Sequence, residues 1–376
     1  MTRIAFLFIA EAYQVYHGYP VALALAEREG ISVEIFYNDV DCPRHFARLA
    51  TAFGLRQPPA ERLQRRAWTR FVQSLRVFGL AKNSTMADNL ACLNDFDAII
   101  AVEETVSWLA SRRHGDRPAL IYIPHGSGDR AIAVQPSIAS FDLVLPTGAK
   151  DAQRFVDLGL VRPGGFTTTG YIKLEVVEQL SQNLAPLFAG SRPVVLYNPH
   201  KARGLSSWAT FIEPMLAQFA QQDRWSLVIA PHIKMFRRSS ARTRARWEGR
   251  SDANTIVDVS SDRLLDNTYT AAADIYVGDV SSQVYEFLAV PRPCVFLNPR
   301  RIEWRGNPDF RFWTLGEVIE DPAELMPAIA RAQDRHAEFL PLQRQLVAET
   351  LGPIAGATQT AADAIYRFVR DGWIDP

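Results

Sequence analysis

Short apolar runs alternate with amphipathic segments along almost the whole of this 376-residue chain. Such runs, bounded by turn residues, are typical of buried strands, and the segments between them are typical of crossover helices. Repeated strand-helix-strand units build parallel sheets covered by helices, so the pattern predicts an α/β fold with two parallel sheets. The predicted strands are residues 4–9, 33–36, 98–102, 119–123, 143–145, 194–197, 227–230, 255–257, 275–277 and 294–297.

The chain is long enough for two domains, because single hydrophobic cores stop growing at about 250–300 residues. We expect residues 1–175 to form a first Rossmann-like domain and residues 190–350 a second one, with a cleft between them. The boundary falls in a polar segment that ends at Pro193. Beyond Pro322 the pattern is helical, and we expect residues 358–376 to pack back on the first domain.

Charge and hydropathy exclude several classes of protein. Lys plus Arg and Asp plus Glu both number 41, which gives no overall bias toward nucleic acid. No stretch reaches the ~20 apolar residues of a spanning helix. Glu11 follows the apolar N-terminal run directly, which indicates a first core strand and not a signal peptide. We expect a cytoplasmic protein, with the inner face of the cytoplasmic membrane as a further location.

Two segments are rich in arginine. The first contains Arg62, Arg65, Arg66, Arg70 and Arg76, interleaved with Leu63, Trp68, Phe71, Val72 and Leu75. This is the pattern of an amphipathic helix, which we expect to pack on its own domain, with a membrane surface as the alternative partner. The second contains Arg237, Arg238, Arg242, Arg244, Arg246 and Arg250. A solvated helix face and an anionic lipid or substrate contact are equally compatible with it.

The segment from 277 to 293 carries the clearest sign of a ligand site. A buried strand ends at Asp279, Ser281 and Ser282 open a helix, and Glu286 follows one turn later. The first N–H groups of a helix have no partner within it, so small hydroxyl residues at this point suit a phosphate or diphosphate. An ordinary helix cap would use the same residues, and Glu286 suits either a ribose hydroxyl or an ion pair with Arg292.

Two other predicted strands end in Pro-His, at His200 and His232. If all three strands belong to one parallel sheet, their carboxyl ends converge where open α/β sheets bind ligands. Imidazole N–H groups there, with Lys201 and Lys234, would stabilise charge on a departing phosphate. We therefore predict a nucleotide-diphosphate site, although the turn at His200 is also compatible with a simple strand end.

His125 is the candidate general base. It follows an apolar strand and a proline and precedes Gly126 and Ser127 in a flexible loop. A neutral imidazole can take a proton from an attacking hydroxyl. The alternatives are a loop histidine bonded to backbone, or His17 as the base in the first strand-to-helix loop, where it would line an acceptor pocket with Glu11 and Tyr13.

Five motifs follow one another along the chain: IPHGSGDR at 123–130, TTGYIKLE at 168–175, LYNPHKAR at 196–203, VIAPH at 228–232 and GDVSSQVYEF at 278–287. In their order and spacing they resemble the CDP-glycerol glycerophosphotransferase family, which includes the teichoic-acid polymerases and adopts the GT-B fold. The resemblance covers residues 119–298. Ile172-Lys173 replaces the family's Pro-Arg, His232 lies in Ala-Pro-His-Ile, and Val280 replaces an aromatic residue.

The resemblance implies transfer of glycerol phosphate, or of a related polyol phosphate or sugar, from a CDP-linked or UDP-linked donor to a hydroxyl of a cell-envelope glycolipid or polysaccharide. A CDP-linked donor is favoured. His125 and His232 are the implied catalytic residues. Donor contacts are expected from Gly170, Tyr171, Lys173, His200, Lys201, Lys234, Asp279, Ser281, Ser282 and Glu286, and acceptor contacts from Glu11, His17, Gly126 and Ser127.

No cofactor or metal is expected. The sequence has no GxGxxG or GxxxxGK[ST] loop, and its Asp39-Val40-Asp41 triplet belongs to the first half, away from the predicted donor site. GT-B enzymes commonly use basic side chains where other enzymes use Mg²⁺. Two alternatives remain: a non-hydrolysing UDP-sugar 2-epimerase, with carboxylates from Glu103, Glu104, Asp129 and Glu286, or an inactive nucleotide-binding module.

Overall fold

The structure, a computed structural model, describes residues 1–75, 78–126, 135–182, 184–281 and 283–371. The described chain divides into two compact units. The first contains residues 1–126, 135–179 and 349–371, and the second contains residues from 180 to 348. Each unit is built around its own six-stranded sheet, in which every pair of neighbouring strands is parallel.

The first sheet has the strand order β3-β2-β1-β4-β5-β6. Its strands are β1 (Thr2–Phe8), β2 (Ile31–Tyr37), β3 (Ala60–Arg62), β4 (Ala98–Ala101), β5 (Ala119–Tyr122) and β6 (Leu143–Val144). From β1 the chain adds β2 and then β3 on one side of the sheet. It then returns to the other side of β1, where it adds β4, β5 and β6. In such a sheet the carboxyl ends of β1 and β4 flank a crevice, which is the usual ligand position.

The helices of the first unit cover its sheet. They are α1 (Val15–Ala26), α2 (Cys42–Phe53), α3 (Ala67–Ser74), α4 (Phe78–Asp88), α5 (Leu90–Leu93), α6 (Ala149–Asp157), α7 (Ile172–Ser181), whose last residues enter the second unit, and α14 (Ala357–Asp371). Helix α14 belongs to this unit although it is last in the chain, and its Asp363 pairs with the Arg28 guanidinium just after α1. Residues 372–376 lie outside the described chain.

The second sheet has the order β12-β11-β10-β7-β8-β9. Its strands are β7 (Val194–Asn198), β8 (Ser226–Ile229), β9 (Thr255–Val257), β10 (Ile275–Gly278), β11 (Cys294–Leu297) and β12 (Glu317–Ile319). The helices are α8 (Trp208–Phe219), α9 (Ala241–Glu248), α10 (Thr268–Ala272), α11 (Gln283–Phe287), α12 (Leu325–Asp334) and α13 (His336–Leu351), whose last residues enter the first unit. The reversal of strand order falls between β7 and β10.

All ten predicted strands are present, and the α/β fold class is confirmed. The sequence analysis missed β3 and β12, which are three-residue strands at the edges of the sheets. Strand β3 has the sequence Ala-Glu-Arg and is fully exposed, so no apolar run signals it. Within the described residues, no helix combines the length and apolar content required to cross a bilayer.

Candidate functional site

Polar side chains of the first unit gather where β1, β4 and β5 end. Tyr13 and Gln14 follow β1, Glu103 and Glu104 follow β4, and His125 follows β5. These three strands are parallel neighbours in the order β1-β4-β5, so their carboxyl ends lie at one edge of the sheet. This group is called the first-unit cluster below.

The hydrogen bond of His125 fixes its neutral tautomer. Its Nδ1 contacts the carbonyl oxygen of Val102, and a carbonyl can only accept, so Nδ1 carries the proton. In the neutral ring Nε2 then holds a lone pair, which is the form required of a base. The ring lies beside Tyr13 and His17, with ring centroids 5.6 and 6.1 Å away, and is half-buried.

Glu103 is held on both carboxylate oxygens. Oε1 accepts from Lys82 Nζ at 2.7 Å and from Thr105 Oγ1 at 2.9 Å, and Oε2 accepts from Gln14 Nε2 at 2.9 Å. Burial raises the pKa of this carboxyl, but the charge of Lys82, the charge that His125 carries when protonated, and the hydrogen bonds from Lys82 and Thr105 together outweigh burial and hold the pKa below its ordinary value. An ionised carboxylate is therefore maintained next to the candidate base.

Ligand atoms of Glu103, Glu104 and His125 lie within 4.8 Å of one another, a spacing compatible with a metal ion. However, both oxygens of Glu103 already accept hydrogen bonds from protein donors, and His125 uses Nδ1 on a backbone carbonyl. Without a cation, the same geometry is that of a carboxylate pair beside an imidazole. Metal independence stays a prediction.

His17 lies inside helix α1, so its placement in a strand-to-helix loop was wrong. The next residue, Gly18, lets this helix pack closely at the end of β4, because a Cβ there would be 2.8 Å from Val102 Cγ1. His17 is buried, and burial followed by the charges of Lys173 and His125 lowers its pKa well below the ordinary value. A neutral imidazole therefore packs against the rings of Tyr13 and Tyr171.

The other predicted acceptor residues have different surroundings. Glu11 is half-buried directly before the 3₁₀ turn at 12–14, and Gly126 is exposed, whereas Ser127 lies outside the described residues. A cavity of about 410 Å³ opens beside Glu104. Its lining is mostly polar and consists of Asn83, Glu104, Thr105, Ser107, Trp108, Gln135 and Ser137. Hydroxyl, amide and carboxylate groups around an indole ring suit a polyol or sugar.

Three residues predicted to contact the donor belong to the first unit. Gly170 has φ = 87°, and a Cβ there would be 1.8 Å from the Pro353 carbonyl oxygen, so close backbone packing explains the glycine. Tyr171 and Lys173 are buried next to His17. A donor contact by these three residues stays a prediction.

In the second unit, the three predicted strand ends are neighbours. Strand β7 pairs with β10 on one side and with β8 on the other, and all three are parallel. The two Pro-His turns are also bonded directly, because the His232 amide donates to the Pro199 carbonyl at 3.1 Å. Asn198 Nδ2 adds a second bond to the Ala230 carbonyl at 2.7 Å. The convergence predicted from the motifs is present at this edge.

Both histidines of these turns have the opposite tautomer to His125. The Ala202 amide donates to His200 Nδ1 at 3.0 Å, and the Lys234 amide donates to His232 Nδ1 at 3.1 Å. Since Nδ1 accepts, the proton of each neutral ring is on Nε2. The ring centroids are 6.0 Å apart. Each of the two turns therefore carries an imidazole N–H group, and such groups can donate hydrogen bonds to phosphate oxygens.

Asp279 anchors the loop that contains His200. Its side chain is buried, and Oδ2 accepts from the amides of His200 at 2.8 Å and Ser207 at 2.9 Å. The other oxygen has no hydrogen-bond partner among the described residues. Burial raises the pKa of Asp279 to about 7. The structure thus gives this residue an anchoring role, where the sequence suggested a cap or a phosphate contact.

The remaining predicted donor residues surround this edge. Ser281 is buried, and its Oγ accepts from the Gln283 amide at 3.2 Å, so it caps the five-residue helix α11. Ser282 lies outside the described residues. Glu286 accepts from Asn267 Nδ2. Lys201 is exposed and Lys234 is half-buried.

An ion pair with Arg292 was one of the two alternatives that the sequence analysis gave for Glu286. Burial lowers the pKa of Arg292 to about 10, and its guanidinium donates to the carbonyls of Ala273 and Phe287. These bonds tie α11 to the end of α10. They give Arg292 a structural function.

Sequence analysis missed several residues of these clusters. Lys82 and Gln14 hold Glu103, and Ser207 completes the anchor of Asp279. Lys82 lies 21 residues before its partner on a helix of little amphipathic pattern, so no local spacing could have revealed it. Gln14 directly follows Tyr13, which was identified, but a glutamine after a strand carries no specific signal.

Residues 177–351 match the family described as CDP-glycerol:poly(glycerophosphate) glycerophosphotransferase. This match confirms, for that part of the chain, the resemblance that the motifs indicated. It covers almost all of the second unit, including both Pro-His turns and Asp279. No curated protein matches the chain.

Solved structures with similar folds span almost the full length of the chain. UDP-GlcNAc 2-epimerase from Neisseria meningitidis, bound to UDP-GlcNAc, has 12% identity and a TM-score of 0.60, covering 97% of this chain and 99% of the other. MnaA from S. aureus in complex with UDP has 12% identity and a TM-score of 0.66, covering 98% and 97%. A variant of the wall teichoic acid polymerase TagF, soaked with CDPG, has 11% identity and a TM-score of 0.66, covering 99% and 89%. These similarities confirm the GT-B fold class.

Proposed function

We propose, from the family match of residues 177–351, that this protein transfers glycerol phosphate from CDP-glycerol to a hydroxyl of a cell-envelope glycolipid or polysaccharide. In this reaction the acceptor oxygen forms a bond to the phosphorus that carries glycerol. The bond from that phosphorus to the bridging oxygen of the diphosphate breaks, CMP leaves with the electron pair, and the hydroxyl proton passes to a base.

The proton positions on three histidines carry the proposal. His125 has its lone pair on Nε2, as a base requires, whereas His200 and His232 have their protons on Nε2, as donors to phosphate require. In each of these histidines, one hydrogen bond with a backbone group determines which ring nitrogen carries the proton. We assign His125 as the base and His232, assisted by His200, as the group that stabilises charge on the donor phosphates.

The donor is proposed to bind at the second-unit edge where β7, β8 and β10 end. Lys201 and Lys234 supply positive charge there, and the Ser281 region supplies small polar groups. Glu286 and Asn267 form a polar pair that suits a ribose hydroxyl. CDP is preferred over UDP because the family match points to a cytidine-linked donor.

The acceptor is proposed to approach the first-unit cluster. The cavity beside Glu104 has room for a sugar or polyol, and its described lining includes no lysine or arginine. A neutral hydroxyl-bearing group therefore fits this cavity better than a phosphate. A lipid-linked acceptor would place the protein at the inner face of the cytoplasmic membrane.

The test is a His125→Ala variant assayed with CDP-glycerol and a lipid extract as acceptor source. We expect turnover to fall by at least about 100-fold, the usual contribution of a general base, with little change in affinity for CDP. Release of CMP and titration calorimetry with CDP measure the two quantities separately.

His114→Ala is the matched control, because His114 is an exposed histidine of the same unit. It should retain full turnover. Full activity of the His125→Ala variant would refute the assignment of the base. Loss of CDP binding in that variant would contradict a role confined to proton transfer.

UDP-sugar 2-epimerisation is the second candidate function. The observation that favours it is the carboxylate pair Glu103 and Glu104 beside His125, because such enzymes move protons at carbon. Incubation with UDP-GlcNAc alone distinguishes the two, since a transferase needs an acceptor. Appearance of the epimer by proton NMR would replace the transferase proposal.

A further inference from the structure

Four large apolar side chains in or beside helices α3 and α4 are exposed. Trp68 is 62% exposed, Phe71 52%, Leu75 57% and Leu80 49%. The rings of Trp68 and Phe71 are in contact, with centroids 5.7 Å apart. The sequence analysis expected the apolar residues of the first arginine-rich segment to pack on their own domain. Leu63 and Val72 do so, whereas Trp68, Phe71 and Leu75 do not.

Contacts on the inner side fix this orientation. Thr69 and Val72 are the buried residues of α3, and the Thr69 hydroxyl bonds to Ser84 Oγ on α4 at 2.6 Å and contacts the Asp88 carboxylate. Asp88 also accepts from the Arg66 amide at 2.8 Å. Because these bonds hold the inner face of α3 against α4, Trp68 and Phe71 are directed outward. The exposure of Trp68 and Phe71 therefore results from the packing of α3 against α4.

The segment that carries these side chains is basic. Residues 62–80 contain five arginines and no aspartate or glutamate. Arg62, Arg66 and Arg70 are exposed, whereas Arg65 bonds to Gln73 and to the Asn38 carbonyl. Aromatic residues flanked by arginines are the composition of an interfacial helix, which buries its rings among acyl chains and pairs its cations with anionic headgroups.

We propose that the α3–α4 helix pair docks this protein on an anionic lipid surface through Trp68, Phe71, Leu75 and Leu80, with Arg62, Arg66 and Arg70 contacting the headgroups. Exposed apolar patches of this kind mark interaction sites, and the arginines select anionic lipid as the partner. The proposal deepens the membrane location given above, but its test needs neither donor nor turnover.

The same helix pair borders the candidate acceptor cavity. The side chain of Lys82 reaches Glu103, and Asn83 contributes to the cavity lining, so one face of α4 belongs to the first-unit cluster. A lipid surface on the outer face would therefore lie near the cavity where a lipid-linked acceptor is proposed to bind. Docking would then hold the cavity close to a lipid-linked acceptor, and no conformational change would be required.

The experiment is flotation of the full-length protein with vesicles of phosphatidylcholine alone and with added phosphatidylglycerol. We expect the protein to bind the vesicles that contain phosphatidylglycerol, and we expect this binding to weaken as the salt concentration rises. Trp68→Ser/Phe71→Ser should reduce the partition coefficient at least tenfold, because two large apolar groups no longer leave water. Arg66→Gln/Arg70→Gln should reduce binding to anionic vesicles by about fivefold per arginine.

Leu158→Ser/Val290→Ser is the matched control, since both side chains are exposed, by 57% and 64%, outside the helix pair. It should bind as the wild type does. Equal vesicle binding by the Trp68→Ser/Phe71→Ser variant and the wild type would overturn the proposal, as would failure of the folded wild type to bind. A wild-type dimer in light scattering that this variant abolishes would assign the face to a second copy of the chain. Circular dichroism verifies that each variant is folded.

Discussion

At the scale of single residues, the proposed chemistry depends on which backbone group each histidine contacts. One carbonyl partner places the proton of His125 on Nδ1, and one amide partner places the proton of His232 on Nε2. The two side chains are chemically identical, so their different capacities come from their bonding partners alone. His17, in contrast, is kept neutral by burial and by the nearby Lys173 charge.

Glu103 provides a residue-scale prediction. Its folded-state pKa lies below the ordinary value, so its ionisation stabilises the protein above about pH 4.5, and this contribution is lost as pH falls through the folded-state pKa. Lys82→Met removes the countercharge and should lower the free energy of unfolding at pH 7 by about 1–3 kcal/mol. Urea denaturation at pH 7 and at lower pH measures the difference.

The loss should shrink at low pH, where Glu103 is protonated in either protein. Lys82→Met/Glu103→Gln should recover part of the stability at pH 7, because the buried charge is gone. An equal loss at both pH values would instead indicate that Lys82 contributes through packing of its aliphatic chain.

At the scale of elements, strand ends and the loops after them do the positioning. Strand β10 delivers Asp279 into the interior, where one carboxylate oxygen holds two amides of the loop that follows β7. The amide-to-carbonyl bond between His232 and Pro199 then joins this loop to the one after β8. A single buried carboxyl therefore controls the position of both Pro-His turns.

Asp279→Asn tests this anchor. Because burial raises the folded-state pKa to about 7 from 3.8, the native protein binds more protons than the unfolded chain between those values, and its stability falls as pH rises through that range. The rise corresponds to at most about 4 kcal/mol. The asparagine variant should lack this dependence, so chemical denaturation should show the wild type losing stability relative to it from pH 5 to pH 8.

Asp274→Asn is the matched control. Asp274 accepts from the Val194 amide at 2.7 Å, at the opposite end of β7, and is exposed. Its removal should leave the pH dependence unchanged. If Asp279→Asn and the wild type have parallel stability profiles, Asp279 is not the titrating group.

At the scale of the whole molecule, two units repeat one architecture with different chemistry. Each sheet reverses its strand order between two central strands, and each carries its polar cluster at the carboxyl ends of those strands. The first-unit cluster has carboxylates and an accepting histidine, and the second-unit edge has donating histidines and lysines. This division matches an acceptor on one unit and an anionic donor on the other.

A nucleotide screen tests that division. CDP at a hundredfold excess over its Kd should raise the free energy of unfolding by about 2.7 kcal/mol, and CDP should stabilise more than UDP, ADP or GDP. His232→Ala should reduce the shift in Tm, because it removes an N–H group of the second unit that is proposed to bind the nucleotide phosphates, whereas His114→Ala should not. Equal shifts with all four nucleotides would contradict selection of a cytidine donor.

The sequence by itself determined the α/β class, ten of the twelve strands in the described chain, and the motifs at the strand ends. Apolar runs and turn residues are local signals, so these features can be read along the chain. The tertiary structure decided the tautomer of His125, the pairing of Lys82 with Glu103, the helical position of His17 and the outward face of α3. Each of these depends on a partner that is distant in sequence or on which helix face finds neighbours, and neither is encoded in local spacing.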